Sequence, residues 1–401
     1  MSFERAYRAR WIFPTEGDPL AEATLLIERG RIVDITQLNV PEAVDLGNVA
    51  LIPELVNAHV HLEFGHLEEP IVPFVPFTDW LRNVVAARRA AAGNLEANVK
   101  RGIDEVRQTG TRAVGEIATS PASLPMLAPS GLEGVLFHEV IGPLPEMIDP
   151  CLRGVRDSLA TFAETSSLLQ PGLSPHAPYT VHPELLDRLV TVAIEQELPV
   201  AMHLAETSCE LDLLRSGSGE FRDLLERVEL WPGDVWSEFR RVGDYLRLLA
   251  NAPRCLIVHG NYLNEDDFRF LETRPHMSVA YCPRTHANFG HPPHPWRKLL
   301  ERGINVCLGT DGRSSNPDLD LWNEVKYLHR MNPDVSGSTL LRMTTTNGAL
   351  GLGLDESGNG LAIGAPAKLA LIENLTPNSS EPYAAILSPE THARTISLTS
   401  A

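Results

Sequence analysis

Two histidines two residues apart are the first feature with chemical content. In Asn57-Ala58-His59-Val60-His61 an extended backbone turns both imidazoles to one face. Two neutral imidazoles converging on a point suit a borderline-soft divalent metal such as zinc. The competing reading is that one histidine merely caps the strand by hydrogen bonding.

Four more stretches repeat the theme: Ser174-Pro175-His176-Ala177-Pro178-Tyr179, Ala201-Met202-His203-Leu204-Ala205-Glu206-Thr207, Ile257-Val258-His259-Gly260-Asn261 and Leu308-Gly309-Thr310-Asp311-Gly312. Each follows an apolar run of strand character. A buried charge at any one of these places is costly alone, and a shared cation offsets that cost for several at once.

The elements that must position these residues alternate in type. Strand-like runs fall at Ala50–His61, Arg112–Ile117, Gly134–Ile141, Gly172–Pro175, Pro199–His203, Cys255–His259, Met277–Tyr281 and Ile304–Gly309. Amphipathic stretches such as Asn94–Gln108, Glu184–Glu197, Asp266–Thr273 and Pro295–Arg302 lie between them. Eight strand–helix alternations predict an α/β fold, a (β/α)8 TIM-like barrel whose active face is formed by the C-terminal strand ends. The stretch at about 207–250 is too long for a plain loop, and its periodicity predicts helices covering one mouth of the barrel. Residues 1–50 read as short β pieces, with a hairpin at Arg29-Gly30. Residues 360–373 look similar, and the polar tail after 374 is expected to be loosely structured. The expected divisions are 1–52 and 356–401 for a small β-sandwich domain built from both chain ends, with the barrel at 53–355.

Composition narrows the function. Of 401 residues, 43 % are hydrophobic and 21 % charged, with 34 basic against 52 acidic side chains and a net charge of -18. Such a surface repels polyanions, so neither nucleic acid nor an anionic membrane is an expected partner. The five cysteines (Cys151, Cys209, Cys255, Cys282 and Cys307) include no C-x-x-C pair, which fits a reducing, cytoplasmic setting. The first residues lack a signal-peptide pattern, and no apolar run is long enough to span a bilayer.

Taken in order, H-x-H, H-x-x-E, H-G and G-T-D resemble the amidohydrolase superfamily. The narrower likeness is to the branch holding cytosine deaminase, S-adenosylhomocysteine deaminase, aminofutalosine deaminase and the triazine chlorohydrolases. Leu51-Ile52-Pro53-Glu54-Leu55-Val56-Asn57-Ala58-His59-Val60-His61, Tyr281-Cys282-Pro283-Arg284 and Thr346-Asn347-Gly348-Ala349-Leu350-Gly351-Leu352 extend the match, which spans roughly residues 1–372. The resemblance implies one divalent metal, zinc before iron or manganese, on His59, His61, His203 and Asp311. It implies Glu206 as proton shuttle, His259 as partner of the activated hydroxide, Asp311 in a second role as proton acceptor, and His176 as a substrate contact. Binuclear relatives bridge their metals with a lysine of the fourth strand. The four lysines, Lys100, Lys298, Lys326 and Lys368, all lie away from that strand end, so a single ion is expected. The implied reaction is hydrolytic deamination of an amino-substituted aromatic heterocycle, a purine- or pyrimidine-type small molecule, with release of ammonia. Hydrolysis of a C–Cl or cyclic C–N bond is the alternative, and a non-catalytic barrel is disfavoured by the intact residue set. Relatives of this branch often form homodimers, although no surface stripe of this sequence demands one.

Further substrate contacts are expected from residues near strand ends. Trp80 either lines the pocket or belongs to the core. Glu116 and one of the adjacent pair His138 and Glu139 face the barrel. Arg284 and Arg313 either clamp an anionic substituent or pair with local acids. His291 and His294, in a Pro-rich loop, are expected to be exposed. No P-C-x-x-C, H-E-x-x-H, P-loop or G-x-S-x-G pattern competes with this reading.

Overall fold

The computed structural model describes residues 3–15, 17–165, 167–233, 235, 240–354, 360–377 and 379–396. Residues 234 and 236–239 of the expected helical insertion, 1–2, 16, 356–359, 378 and 397–401 of the chain-end segments, and 166 and 355 of the expected barrel lie outside the described residues.

The N-terminal segment supplies β1 (Arg5–Ile12), β2 (Leu20–Glu28), β3 (Arg31–Thr36), β4 (Val44–Asp45) and β5 (Ala50–Pro53). The hairpin between β2 and β3 turns where expected: Arg29 and Gly30 both have positive φ, 52° and 71°, the pairing a two-residue primed turn requires. The sequence run 50–61 does not form one strand. It breaks at Glu54, leaving β5 in the terminal sheet, while β6 (Leu55–His61) begins a second sheet.

That second sheet continues through β7 (Thr111–Ala118), β8 (Glu133–Val140), β9 (Leu169–Pro175), β10 (Val200–Leu204), β11 (Cys255–His259), β12 (Met277–Tyr281), β13 (Asn305–Leu308) and β14 (Asp311–Gly312). Neighbours pair in parallel from β6 to β13, and β14, which follows β13 after two residues, pairs in parallel with β6. The sheet therefore closes on itself. β6, β7, β11 and β12 are buried along their whole length, as strands covered on both faces must be.

Helices fall within two residues of where the periodicity puts them, for example Leu95–Gln108, Pro183–Glu195 and Trp296–Glu301. Inside the ring small or slender side chains, among them Ala58, Ala113, Val135, Ala201, Val258 and Cys307, pack around the larger Phe137. Ala349 and Leu352 join this core from the helix Thr346–Leu352. That helix lies beneath the start of β6, where Val56 N–H donates to Thr344 O at 2.7 Å.

The chain returns with β15 (Leu369–Glu373) and β16 (His392–Thr395) to complete a seven-stranded sheet with β1–β5. Ala9, Leu25, Ile32, Leu51 and Leu371 form a core of its own, while Ile52 and Ile372 on the other face pack toward the barrel. The tail after 374 is more ordered than expected. Pro382–Ile386 is helical, and β16 pairs antiparallel with β15 from Ala370 to Glu373. Its apolar residues Ala385, Ile386 and Leu387 bury against the barrel, which the polar average of that segment concealed. All five cysteines are free. No helix among the described residues is long and apolar enough to cross a membrane.

Candidate active site

Alternation along the strands aims the chemistry. On β8 the interior row Val135, Phe137 ends in Glu139, and on β10 Ala201 is followed by His203. On β6 the interior row is Val56 and Ala58, and a register irregularity between Asn57 and Val60 resets the pleat. Both His59 and His61 then reach the axis, their rings 4.9 Å apart.

Three imidazoles meet there. Ligand atoms of His59, His61 and His203 lie within 4.8 Å of one another, and all three residues are buried. The Oδ1 of Asp311 lies 3.6 Å from the Nε2 of both His59 and His61. The backbone at Asp311 has φ 59°, a left-handed turn just beyond the eighth strand. Gly309 makes this approach possible, because a Cβ there would stand 2.7 Å from the His59 carbonyl oxygen. Asn57 stitches the two strands: its amide donates to Thr310 Oγ1 at 2.8 Å and accepts the Thr310 N–H at 3.1 Å.

The donor set suits a divalent metal. His203 Nδ1 is 3.0 Å from the His176 carbonyl, which only accepts, so Nε2 keeps its lone pair for the site. Neither ring nitrogen of His59 has a hydrogen-bond partner among the described residues. Burial pushes His61 and His203 well below the ordinary imidazole range, and the surrounding histidines push the same way. Against the cost of its own burial, His59 and His61 hold the Asp311 carboxyl below its ordinary value. Neutral imidazoles beside an ionised carboxylate are the forms that bind a cation. Ser315 Oγ–H donates to Asp311 Oδ2 at 2.7 Å and leaves Oδ1 facing the histidines.

Beside this cluster stand Glu206 and His259, with Glu206 Oε1 3.4 Å from His259 Nε2. Burial raises the Glu206 carboxyl well above its usual range, and Asp311 and Glu210 add to the effect. Burial brings His259 down to about 3. His259 has φ 68°, and its carbonyl accepts Nε2–H of His294 at 2.8 Å. His294 is therefore a buried support, stacked 4.0 Å from the Tyr281 ring, and not the exposed loop residue its Pro-rich setting led us to expect.

These groups open on a cavity of about 350 Å³. His176, Glu139, Arg88 and Trp80 are on its wall, as are Leu224 and Leu225 of the helix Glu220–Arg227. Trp80 lies between the two readings: it is buried, and its Nε1–H donates to Ser314 O at 3.2 Å.

Three expected substrate contacts stand elsewhere. Arg284 pairs with Asp318 and Glu324, each at 2.6 Å. Arg313 makes a two-pronged contact with Glu105, at 2.8 and 2.9 Å. Glu116 is fully buried behind the cavity wall and accepts the Leu62 N–H at 3.0 Å. Both arginines are thus claimed by neighbouring acids, and burial raises the Glu116 carboxyl well above its usual range.

Other residues at the site were not anticipated. Glu210 accepts the N–H of Ala205 at 2.7 Å and of Glu206 at 3.0 Å. Its signal was present: Thr207-Ser208-Cys209-Glu210 has the spacing of a helix capping box, and Thr207 Oγ1 accepts the Glu210 N–H at 3.2 Å. Arg88, held by Glu63 at 2.7 Å, sits in an amphipathic helix and carries no comparable local signal.

Comparison with known proteins agrees with this geometry. The amidohydrolase family model matches residues 50–397. An aminodeoxyfutalosine deaminase of Deinococcus radiodurans is 29% identical over 76% of this chain and 74% of its own length. A 5'-deoxyadenosine deaminase of Methanothrix thermoacetophila is 29% identical over 90% of this chain and 84% of its own. Among solved structures, a zinc-bound adenosine deaminase from Xanthomonas campestris superposes with a TM-score of 0.76 at 21% identity, covering 96% of this chain and 89% of that one.

Proposed function

The chain belongs to the amidohydrolase family, and from that premise we propose that it is a hydrolase of carbon–nitrogen bonds that deaminates an amino-substituted aromatic heterocycle of nucleobase or nucleoside type. The observation that carries this reading is the placement of Glu206: a buried carboxyl whose hold on its proton burial strengthens, facing the cavity beside the His59, His61, His203 and Asp311 cluster. The donor set of those four residues and the zinc of the Xanthomonas structure support one divalent metal, zinc, held there. Held by these residues, a divalent ion would lower the pKa of a bound water from 15.7 toward about 7 and so supply a nucleophile at neutral pH.

The protein groups do the rest. Trp80, Leu224 and Leu225 wall the cavity with apolar surface, exclude water and keep the ring flat against the site. Asp311 Oδ1 takes the proton of the attacking water. His259 Nε2 orients that water on the side of Glu206. Glu206 gives its proton to a ring nitrogen, which draws electrons from the adjacent carbon. The ionised Glu206 takes the remaining proton of the hydroxyl added at that carbon as its carbonyl forms and carries it to the departing amine, which leaves as ammonia; the proton held by Asp311 then restores Glu206. A carboxyl performing both transfers needs the raised affinity for protons that burial gives it.

The test is ammonia release over a panel of amino-purines and amino-pyrimidines, free and as nucleosides, by wild type and Glu206→Gln. The variant keeps its metal content and loses turnover by about 10²–10⁴-fold. Full turnover in the variant, or wild-type products without ammonia, overturns the reading.

A further inference from the structure

Glu139 ends the interior row of β8 and is on the cavity wall, yet neither of its carboxylate oxygens has a hydrogen-bond donor among the described residues. Its side chain is 1% exposed. Two neighbours come close and stop short. His176 Nε2 is 4.0 Å from Oε1, and Arg88 Nη2 is 3.9 Å from Oε2. Arg88 is committed elsewhere, to Glu63 at 2.7 Å, and Glu63 is itself fixed by Thr119 Oγ–H at 2.9 Å. The guanidinium lowers the cost of a negative charge at Glu139 without satisfying its lone pairs. A buried carboxylate without donors is expensive, and in a folded protein such a group calls for an explanation. Here the open side of the carboxylate is the cavity.

Resting on the deaminase reading, we propose that Glu139 is a specificity-determining residue whose two oxygens accept hydrogen bonds from paired N–H or O–H donors on the substrate. A second metal is a poorer account of the cluster Glu139, His176 and His203, because His203 has only Nε2 to offer and that atom faces His59 and His61. An anionic substituent brings acceptors and no donors, so it does not match the open oxygens of Glu139. Two sources supply the right donors: N–H groups on the heterocycle itself, and the neighbouring hydroxyls of an attached sugar.

The experiment compares wild type, Glu139→Gln and Glu139→Ala on amino-heterocycles as free bases, ribonucleosides and 2',3'-dideoxynucleosides. The glutamine keeps the shape but replaces one acceptor by a donor. For compounds bearing the donor pair, kcat/KM falls by about 10–100-fold, mainly through KM. A loss shared by all three forms places the donors on the ring. A loss confined to ribonucleosides places them on the sugar. Metal content stays constant, and Tm rises in both variants, because a buried carboxyl with unsatisfied oxygens has been removed. Unchanged kcat/KM for every compound, a lower metal-to-protein ratio in the variants, or a fall in Tm each overturns the proposal. Calorimetric binding of the same compounds and the Tm comparison decide the role of Glu139 even where wild type releases no ammonia, an outcome that would remove the deaminase reading instead.

Discussion

Glu210 holds the backbone of Glu206 in place: its Oε2 accepts the Glu206 N–H at 3.0 Å, and its Oε1 accepts the Ala205 N–H at 2.7 Å. Ala205 has φ 55°, a left-handed conformation that a residue with a Cβ adopts only when its surroundings impose it. The carboxylate imposes it with one acceptor for each exposed N–H. In Glu210→Gln one acceptor becomes an NH₂ that opposes an N–H. We expect kcat to fall about 10–100-fold with metal content intact, because Glu206 is displaced and the histidines are not. Steady-state kinetics with metal analysis checks this; an unchanged kcat assigns Glu210 to helix capping alone.

Metal removal should be felt by the fold as well as by the reaction. His59, His61 and His203 bring buried nitrogens together beside the Asp311 carboxylate. A chelator-treated sample should melt lower and be inactive. Zinc at about 1,000 times its Kd should restore about 4 kcal/mol of stability. In His203→Ala that zinc-dependent rise in Tm should disappear. A chelated protein with unchanged Tm and turnover would show that these residues hold no metal.

How much of this was legible in the chain follows from how local each signal is. His59 and His61 could be read because pleating and a two-residue spacing act over one strand, although the irregularity after Asn57 that aims them is invisible in the letters. The barrel was legible because strand and helix periods alternate over hundreds of residues. Glu139 could be narrowed only to one of two adjacent residues, since parity depends on which face β8 turns inward. For Arg284 and Arg313 the sequence offered both a substrate clamp and pairing with acids, and the pairing is what the structure shows, although the partners could not be named. Glu324 and Glu105, the acids that claim them, lie 40 and 208 residues away, and only the packed helices reveal the pairing. The ordered tail was hidden because Ala385 and Ile386 gain their apolar surroundings from the barrel, not from their own segment.

Arg284 makes that contrast measurable. Its guanidinium covers Glu324, whose side chain is fully buried and also accepts from Asn316 at 2.6 Å. Arg284→Ala leaves a buried carboxylate with its main counter-charge gone, a loss of about 3–5 kcal/mol in comparable sites. We expect a marked fall in Tm with KM unchanged for the folded fraction. A raised KM at unchanged stability would return Arg284 to the substrate.

Glu54 gives the protein a stability that depends on pH. It sits where β5 gives way to β6, and burial pushes its carboxyl up to about 7 against the pull of Arg112, with Glu133 adding to the rise and Lys368 opposing it. Between its ordinary value near 4.5 and 7 the folded protein holds a proton that the unfolded chain has released. Protonation therefore favours folding, and the contribution of Glu54 is complete below 4.5 and lost as pH rises through 7. Glu54→Gln resembles the protonated form at every pH. Its stability should match wild type at low pH and exceed it at pH 8, by up to about 3 kcal/mol. Urea unfolding of both proteins at pH 5 and pH 8 isolates the effect, since every other titrating group is common to the pair. A variant less stable than wild type at pH 8 would mean that Glu54 is ionised in the fold and that its pairing with Arg112, 3.8 Å away, outweighs the cost of burial.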